Sequence, residues 1–330
     1  MVRIERYHPG AGDGALDAAY VAVAHEARRP AFPAGLLPPA AFLLNRVTNV
    51  GADHRDHLWL ALDGDRPAGG LEVFWWEAPD NRDRAWLHLE VAPERFSPEL
   101  AGALLAAGAG VLRAAGRESL HVDLPAGHPA AAWLAARGAR RGSAEENNVL
   151  RLDRVPRAVH EVPPVAGYEL VAFDGACPDD LLEPYTRLLS TMNDAPRDDL
   201  TMEDWVYTPE RLRAFEATVA RRGHLLLTVV ARSSATGEPA AFNQLVVHPD
   251  WPEVVDNEDT AVAVPHRGHR LGRWVKAANL LRVRDDFPET LAVRTWNAVS
   301  NTHMLRVNRE LGFACEHVWE AWETTLDAVL

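Results

Sequence analysis

The sequence predicts an α+β fold made of two domains in tandem, each a mixed, mostly antiparallel sheet flanked by helices. Three observations lead there. Strand-like segments come in pairs joined by Gly-containing turns, helical segments are interspersed among them, and one order of segments occurs twice. A length of 330 residues fits two domains, and 47% hydrophobic with 25% charged residues lets a globular chain bury a core.

In the first half, HLWLALDGDRPAGGLEVFWW (57–76) reads as strand, turn and strand. Strand-like AWLHLEVAP follows, then the turn ERFSPE and the long apolar helix LAGALLAAGAGVLRAAG. Strand SLHVDLP, the break GHP and helix AAAWLAARG, ending near Gly138, complete the half. Proline-rich RVPRAVHEVPPVAG (154–167) has neither helical nor strand periodicity and reads as a linker. The expected domains are therefore 1–155 and 168–330, with 156–167 between them.

In the second half, DLLEPYTRLLST reads as a helix, and another starts at Thr208-Pro209, with Thr as N-cap and Pro at the first helical position. HLLLTVVARSSATGEPAAFNQLVVH repeats the strand–turn–strand plan. Strand-like EDTAVAV runs into RGHRLG, and LGRWVKAANLLRV carries a mostly apolar stripe at helical spacing. Strand TLAVRTW, the break NAVSN and helix THMLRVNREL end at Gly312, a natural C-cap.

The net charge of −13 argues against nucleic acid, whose binders carry a basic face. No apolar run is long enough to span a membrane, and the N-terminus has no signal-peptide pattern, so a cytoplasmic protein is expected. Every basic residue except Lys276 is arginine, which points to a GC-rich bacterial genome. Cys177 and Cys315 cannot build a disulfide framework, and no metal-ligand spacing occurs, so no metal is expected.

The informative stretch is VAVPHRGHRLGRWVKAANL (262–280). Helix N-termini present unpaired N–H groups and partial positive charge, so a strand feeding into one makes an anion site. Arg267, His269, Arg270 and Arg273 crowd that end, and Gly268 and Gly272 admit a close ligand. A diphosphate is the natural occupant; a solvated basic helix start is the alternative.

This run resembles the acyl-CoA pyrophosphate loop of the GNAT (general N-acetyltransferase) superfamily, and NAVSNTHMLRVNRELGF resembles that superfamily's second signature, in the right order. The tandem layout is similar to that of two-GNAT actinobacterial proteins. The resemblance implies acetyl-CoA or another acyl-CoA as cofactor and N-acyl transfer to a small amine. It puts Val262 and Val264 on the strand that pairs with pantetheine, and Arg267, Gly268, His269, Arg270, Leu271 and Gly272 around the pyrophosphate. Arg273 opens the helix beneath, Asn297 sits at the splay after the next strand, and Asn301 faces the pantetheine. A general base is implied a few residues ahead of the loop, where Glu258 and Asp259 are the available carboxylates. Period-two alternation sends them to opposite faces, so only one of them can look into the cleft, Glu258 being preferred; the alternative is that both are solvated strand-end charges.

Two departures stand out. Arg270 replaces the loop's central glycine, and Asn308 falls where a thiolate-protonating tyrosine often stands; an amide cannot act as an acid there, though it can bond the cofactor. The first half offers ERFSPEL in place of the loop, with two glutamates and a proline, and is expected not to bind CoA. Segment 192–209, acidic and aromatic, has the profile of a substrate loop or of a solvated acidic loop. Asp198, Asp199, Glu203 and Asp204 would attract an amine, with Trp205 and Tyr207 packing its apolar part and Trp251, with His248, shaping the pocket. The rivals are a non-catalytic CoA-binding or ligand-sensing protein, and an O-acyltransferase. The oligomeric state stays open.

Overall fold

The structure, a computed structural model, describes residues 2–32 and 36–330. The first repeat contains β1 (Val2–Tyr7), α1 (Gly14–Arg28), α2 (Ala40–Thr48), β2 (His54–Asp63), β3 (Arg66–Trp76), β4 (Arg84–Glu90), α3 (Pro98–Ala114), β5 (Ser119–Pro125), α4 (Pro129–Ala135) and β6 (Arg140–Arg151). The second contains β7 (Tyr168–Asp174), α5 (Asp179–Leu189), α6 (Pro209–Arg221), β8 (Leu225–Ser233), β9 (Pro239–Val247), β10 (Val254–Val262), α7 (Leu271–Asp286), β11 (Ala292–Ala298), α8 (Thr302–Glu310) and β12 (Ala314–Thr325), followed by the short α9 (Leu326–Val329). The order β-α-α-β-β-β-α-β-α-β is thus run through twice, as the repeated segments foretold.

Local chemistry sets the helix ends. Ser97 Oγ accepts from Leu100 N–H at 3.1 Å before α3, and Thr208 does the same for Arg211 at 3.2 Å before α6, each with Pro at the first helical position. Gly312, at φ 93°, ends α8 in the left-handed conformation.

The chain forms two compact units that are not contiguous halves. One comprises Met1–Glu146, Arg197–Glu203 and Glu316–Leu330; the other comprises Asn147–Pro196 and Asp204–Cys315. In the first unit the strand order is β1-β2-β3-β4-β5-β12, antiparallel except for β4 with β5. Its core lies between the sheet and α3, with Trp59, Leu71, Leu87, Leu104 and Leu120 buried together. β12, the last strand of the second repeat, pairs antiparallel with β5 from Trp319↔Pro125 to Thr325↔Ser119. The compact boundary therefore differs from the sequence-based one at both ends.

In the second unit the order is β11-β10-β9-β8-β7, antiparallel except for β10 with β11. α7 packs Leu280, Ala277 and Val275 on one face of this sheet, while Tyr185 and Leu188 of α5 cover Phe242 and Val230 on the other. The proline-rich segment 156–167 is docked rather than loose. His160 is buried and its Nε2 lies 2.9 Å from the Leu311 carbonyl, and Arg284 donates to the Val155 carbonyl at 2.6 Å. No helix among the described residues is long and apolar enough to cross a membrane.

Candidate active site

The site is built where β10 and β11 separate. Their parallel pairing covers only Val254–Asp256 against Ala292–Arg294, although both strands run on. A pocket of about 320 Å³ opens there, lined by Asp256, Asn257, Glu258, Arg294 and Trp296.

β10 also carries a bulge. Asn257 pairs with Leu245 and Thr260 with Asn243, so two residues, Glu258 and Asp259, stand opposite one. The Asn243 amide reaches both Asn257 Oδ1 (2.7 Å) and Thr260 Oγ1 (2.9 Å), which puts Asn257 and Thr260 on the same face. Strict alternation therefore fails here. Glu258 lines the pocket, and burial, followed by the charge of Asp259, pushes the Tyr185 hydroxyl pKa up. Desolvation raises Glu258 to about 8, helped by the charges of Asp256 and Asp259, and raises Asp259 to about 6. The Glu258 side chain is exposed toward the pocket opening.

Asp256 is the contrasting carboxylate. Arg294 pairs with it through Nε and, at 2.9 Å, through Nη2, and His248 Nε2 meets it at 2.9 Å, holding its pKa well below the usual range. Behind His248 lies His224, their Nδ1 atoms 3.2 Å apart; burial and His248 push His224 down to about 4. The guanidinium of Arg294 rests 4.4 Å above the Trp251 ring. Trp251 is buried, so it supports Arg294 and presents no face to a substrate.

The loop after β10 departs from expectation in one place. The strand ends at Val262, and Val264 opens a 3-10 turn because Pro265 brings a fixed φ and no N–H to donate. Val264 is 60% exposed. The Val262 carbonyl accepts from Arg267 Nε at 3.1 Å, and Arg267 also pairs with Asp194 at 2.6 Å. Tyr168 OH, 2.9 Å from His266 Nδ1, pins the turn from β7, and His269 is exposed. Gly268 takes φ 85°, and Arg270 takes φ 63° as a left-handed N-cap whose side chain caps nothing. The N-cap bond runs from Trp274 N–H to the Arg270 carbonyl, so the N–H groups before it point out of the helix mouth. Leu271 and Gly272 are buried, and a Cβ on Gly272 would touch Val262 at 3.4 Å. Arg273 lies 3.6 Å from Glu310.

The second signature folds inward. Asn301 is used as the N-cap of α8, accepting from Met304 N–H at 3.1 Å, because its side chain satisfies a helix donor. Asn308 is fully buried, with Nδ2 donating to Asn297 Oδ1 and Oδ1 accepting from Lys276 Nζ, both at 2.6 Å. Asn297 on β11 and Asn301 ahead of α8 are both half-buried, whereas Asn308 is closed off.

Segment 192–209 is divided. Residues 197–203 belong to the first unit, where Asp199 N–H donates to the Gly142 carbonyl (2.9 Å), Ser143 to Asp198 (3.1 Å) and Asn81 N–H to Glu203 (2.8 Å). The Asp198 and Glu203 carboxylates and the Asp199 backbone tie the segment down. Trp205 and Asp204 fall in the second unit. The Trp205 backbone is held by Asn193, Arg211 lies 5.6 Å from its ring, and Tyr207 packs on the cluster that also receives Ala261 and Ala263.

Sequence reasoning missed Asp256, Arg294, Trp296, His224 and Lys276. Only Lys276, the one lysine among arginines, left a signal. Among the described residues the grouping of metal-ligand type is Glu72, His88 and Glu90. Arg46 clamps Glu72 at 2.7 and 2.6 Å and Arg28 pairs with Glu90, so this reads as an ion-pair network. Cys177 is buried, its thiol pushed up to about 12, which makes it inert.

No protein-family model and no curated protein matches the sequence. Solved structures do. A tandem GNAT protein from the clavulanic acid biosynthesis pathway is 26% identical, with 99% of both chains covered and a TM-score of 0.80. A GCN5-related N-acetyltransferase from Sphaerobacter thermophilus is 13% identical over 98% of this chain and 96% of its own, at TM-score 0.71. A putative acetyltransferase from Pyrococcus horikoshii is 14% identical over 98% and 89%, at 0.57. The repeated element order, the splay between β10 and β11 and these likenesses agree: the chain is a tandem GNAT-fold protein.

Proposed function

We propose that the second unit is an acyl-CoA-dependent N-acyltransferase that passes an acyl group, acetyl by preference, to a small amine. The observation that carries this reading is the coupling of two features on one strand. β10 holds a carboxylate of raised pKa at its bulge, and a few residues later it delivers the chain to a helix mouth ringed by Gly268, His269, Arg270 and Arg273. The mouth suits a diphosphate, and the intervening strand edge, unpaired after Asp256, suits an extended pantetheine. No metal enters this reading. The first unit offers no comparable mouth, since Ser97 already caps α3 and Glu99 sits in its first turn.

In this scheme the amine attacks the thioester carbonyl and Glu258 takes its proton. A base of raised pKa suits this, because it holds the proton near neutrality. Glu258→Gln is expected to lower kcat roughly 10²-fold or more. Thiol release from acetyl-CoA, measured with diamines, amino sugars and amino acids as acceptors, tests this. The rate should rise with pH along a limb centred well above the ordinary carboxylate pKa of about 4.3, and that limb should vanish in Glu258→Gln. Unchanged turnover in both Glu258→Gln and Asp259→Asn would remove the proposal. Asn308 in the acid position favours a second reading, a non-catalytic CoA-binding sensor. Tight CoA binding without thiol release across the panel would support it.

A further inference from the structure

The sole lysine of the chain lies in the second turn of α7 and is 1% exposed. An ammonium is costly to bury, and the neighbouring core residues Ala277 and Leu280 show that an apolar side chain would suit this stripe. Its Nζ donates to Asn308 Oδ1 at 2.6 Å and stands 4.8 Å above the Phe313 ring. The side chains that pack on this part of α7 from β8, β9 and β10, Leu227, Leu245 and Val255, are uncharged, and on α8 Glu310 is paired with Arg273. Burial alone pushes the Lys276 pKa down to about 7.

An ammonium has donors only, so the Asn308 atom facing it must be the carbonyl oxygen. The Asn308 nitrogen then points the other way and donates to Asn297 Oδ1 at 2.6 Å. That leaves Asn297 Nδ2 as the last donor of the string, three residues past the point where β10 and β11 stop pairing. The three side chains form a string of donors with one direction, starting at a cation and ending at an amide.

We propose that Lys276 is a positioning residue which, through Asn308, holds the Nδ2 of Asn297 as a hydrogen-bond donor to the departing sulfur of an acyl thioester bound in this gap. In the transfer a C–N bond forms and the C–S bond breaks. The electron pair goes to sulfur, the amine proton goes to Glu258, and the thiolate takes its proton from water on release. The identity of the occupant rests on the acyltransferase reading; the string itself does not.

The test uses the full-length chain labelled with [15N]lysine at Nζ, which gives a single side-chain signal. The signal should titrate near 7 in the free protein, and Asn308→Leu, which removes the acceptor of the charged form, should lower the midpoint by about half a unit or more. Coenzyme A, its binding followed by calorimetry, should move the signal. A midpoint indifferent to Asn308→Leu overturns the string. Coenzyme A that binds yet leaves the signal unmoved overturns its role at the thioester. Coenzyme A that does not bind overturns the acyltransferase reading instead, and Asn308→Leu still judges the string. In turnover, Lys276→Met should lower kcat about ten- to a hundred-fold with KM for acetyl-CoA little changed, the scale of misplacing a reacting group. Full activity in a folded Lys276→Met protein contradicts the proposal.

Discussion

Burial moves the pKa of Glu258 up and that of Lys276 down toward neutrality, and the Lys276 shift leaves a trace in stability. For Lys276 the folded pKa, about 7, lies below the unfolded value near 10.4. Between those values the unfolded chain binds the extra proton, so the parent loses stability as pH falls from 10 to 7, and the loss is complete below 7. Lys276→Met lacks this term. Its stability relative to the parent, read from urea unfolding at several pH values, should therefore grow as pH falls from 10 to 7 and then level off. Parallel curves would show that burial does not lower the Lys276 pKa. At this scale the sequence was half legible. Glu258 and Asp259 were visible as the carboxylates ahead of the loop, but adjacent residues in a strand read as facing opposite ways. The extra residue of a bulge is set by its pairing with β9, which no local pattern reports.

At the scale of elements, the mouth of α7 carries backbone strain. Arg270 sits in the left-handed region at φ 63°, which costs a residue with a Cβ roughly 1 kcal/mol relative to glycine. Arg270→Gly is therefore expected to stabilise the protein by up to about 1 kcal/mol in urea unfolding while weakening coenzyme A, because an exposed guanidinium leaves the diphosphate site. Lower stability together with unchanged affinity would mean that Arg270 serves the fold alone. At the other extreme, Thr208→Ala removes an ordinary cap and should cost about 1 kcal/mol without touching coenzyme A affinity. Such caps were legible because Thr-Pro and Ser-Pro state their own chemistry. The end of β10 was not, since the alternation in TAVAV continues past the residue where Pro265 stops the ladder.

At the scale of the whole molecule, the repeat was visible as two matching runs of strand, turn and helix. The closing strands were not. Neither β6 nor β12 was identified, and sequence order alone would assign each to its own repeat. Yet Glu316–Thr325 lies in the first unit beside β5, and Asn147–Arg151 lies in the second. Each unit is completed by chain from the other repeat. A fragment ending at residue 155 lacks the strand that covers Leu120 to Leu124, so it should be insoluble or lack a cooperative unfolding transition by circular dichroism. Cooperative unfolding of that fragment would show that β12 is dispensable.

The most direct measurement is a crystal structure of the full-length chain grown with saturating coenzyme A. It should show the diphosphate within hydrogen-bond distance of the backbone N–H groups between Gly268 and Arg273, with the pantetheine running along β10 toward Glu258 and Asn297. A diphosphate bound at the start of α3, or a helix mouth at α7 that stays closed by Arg267 and Arg270 with the ligand elsewhere, would contradict the account.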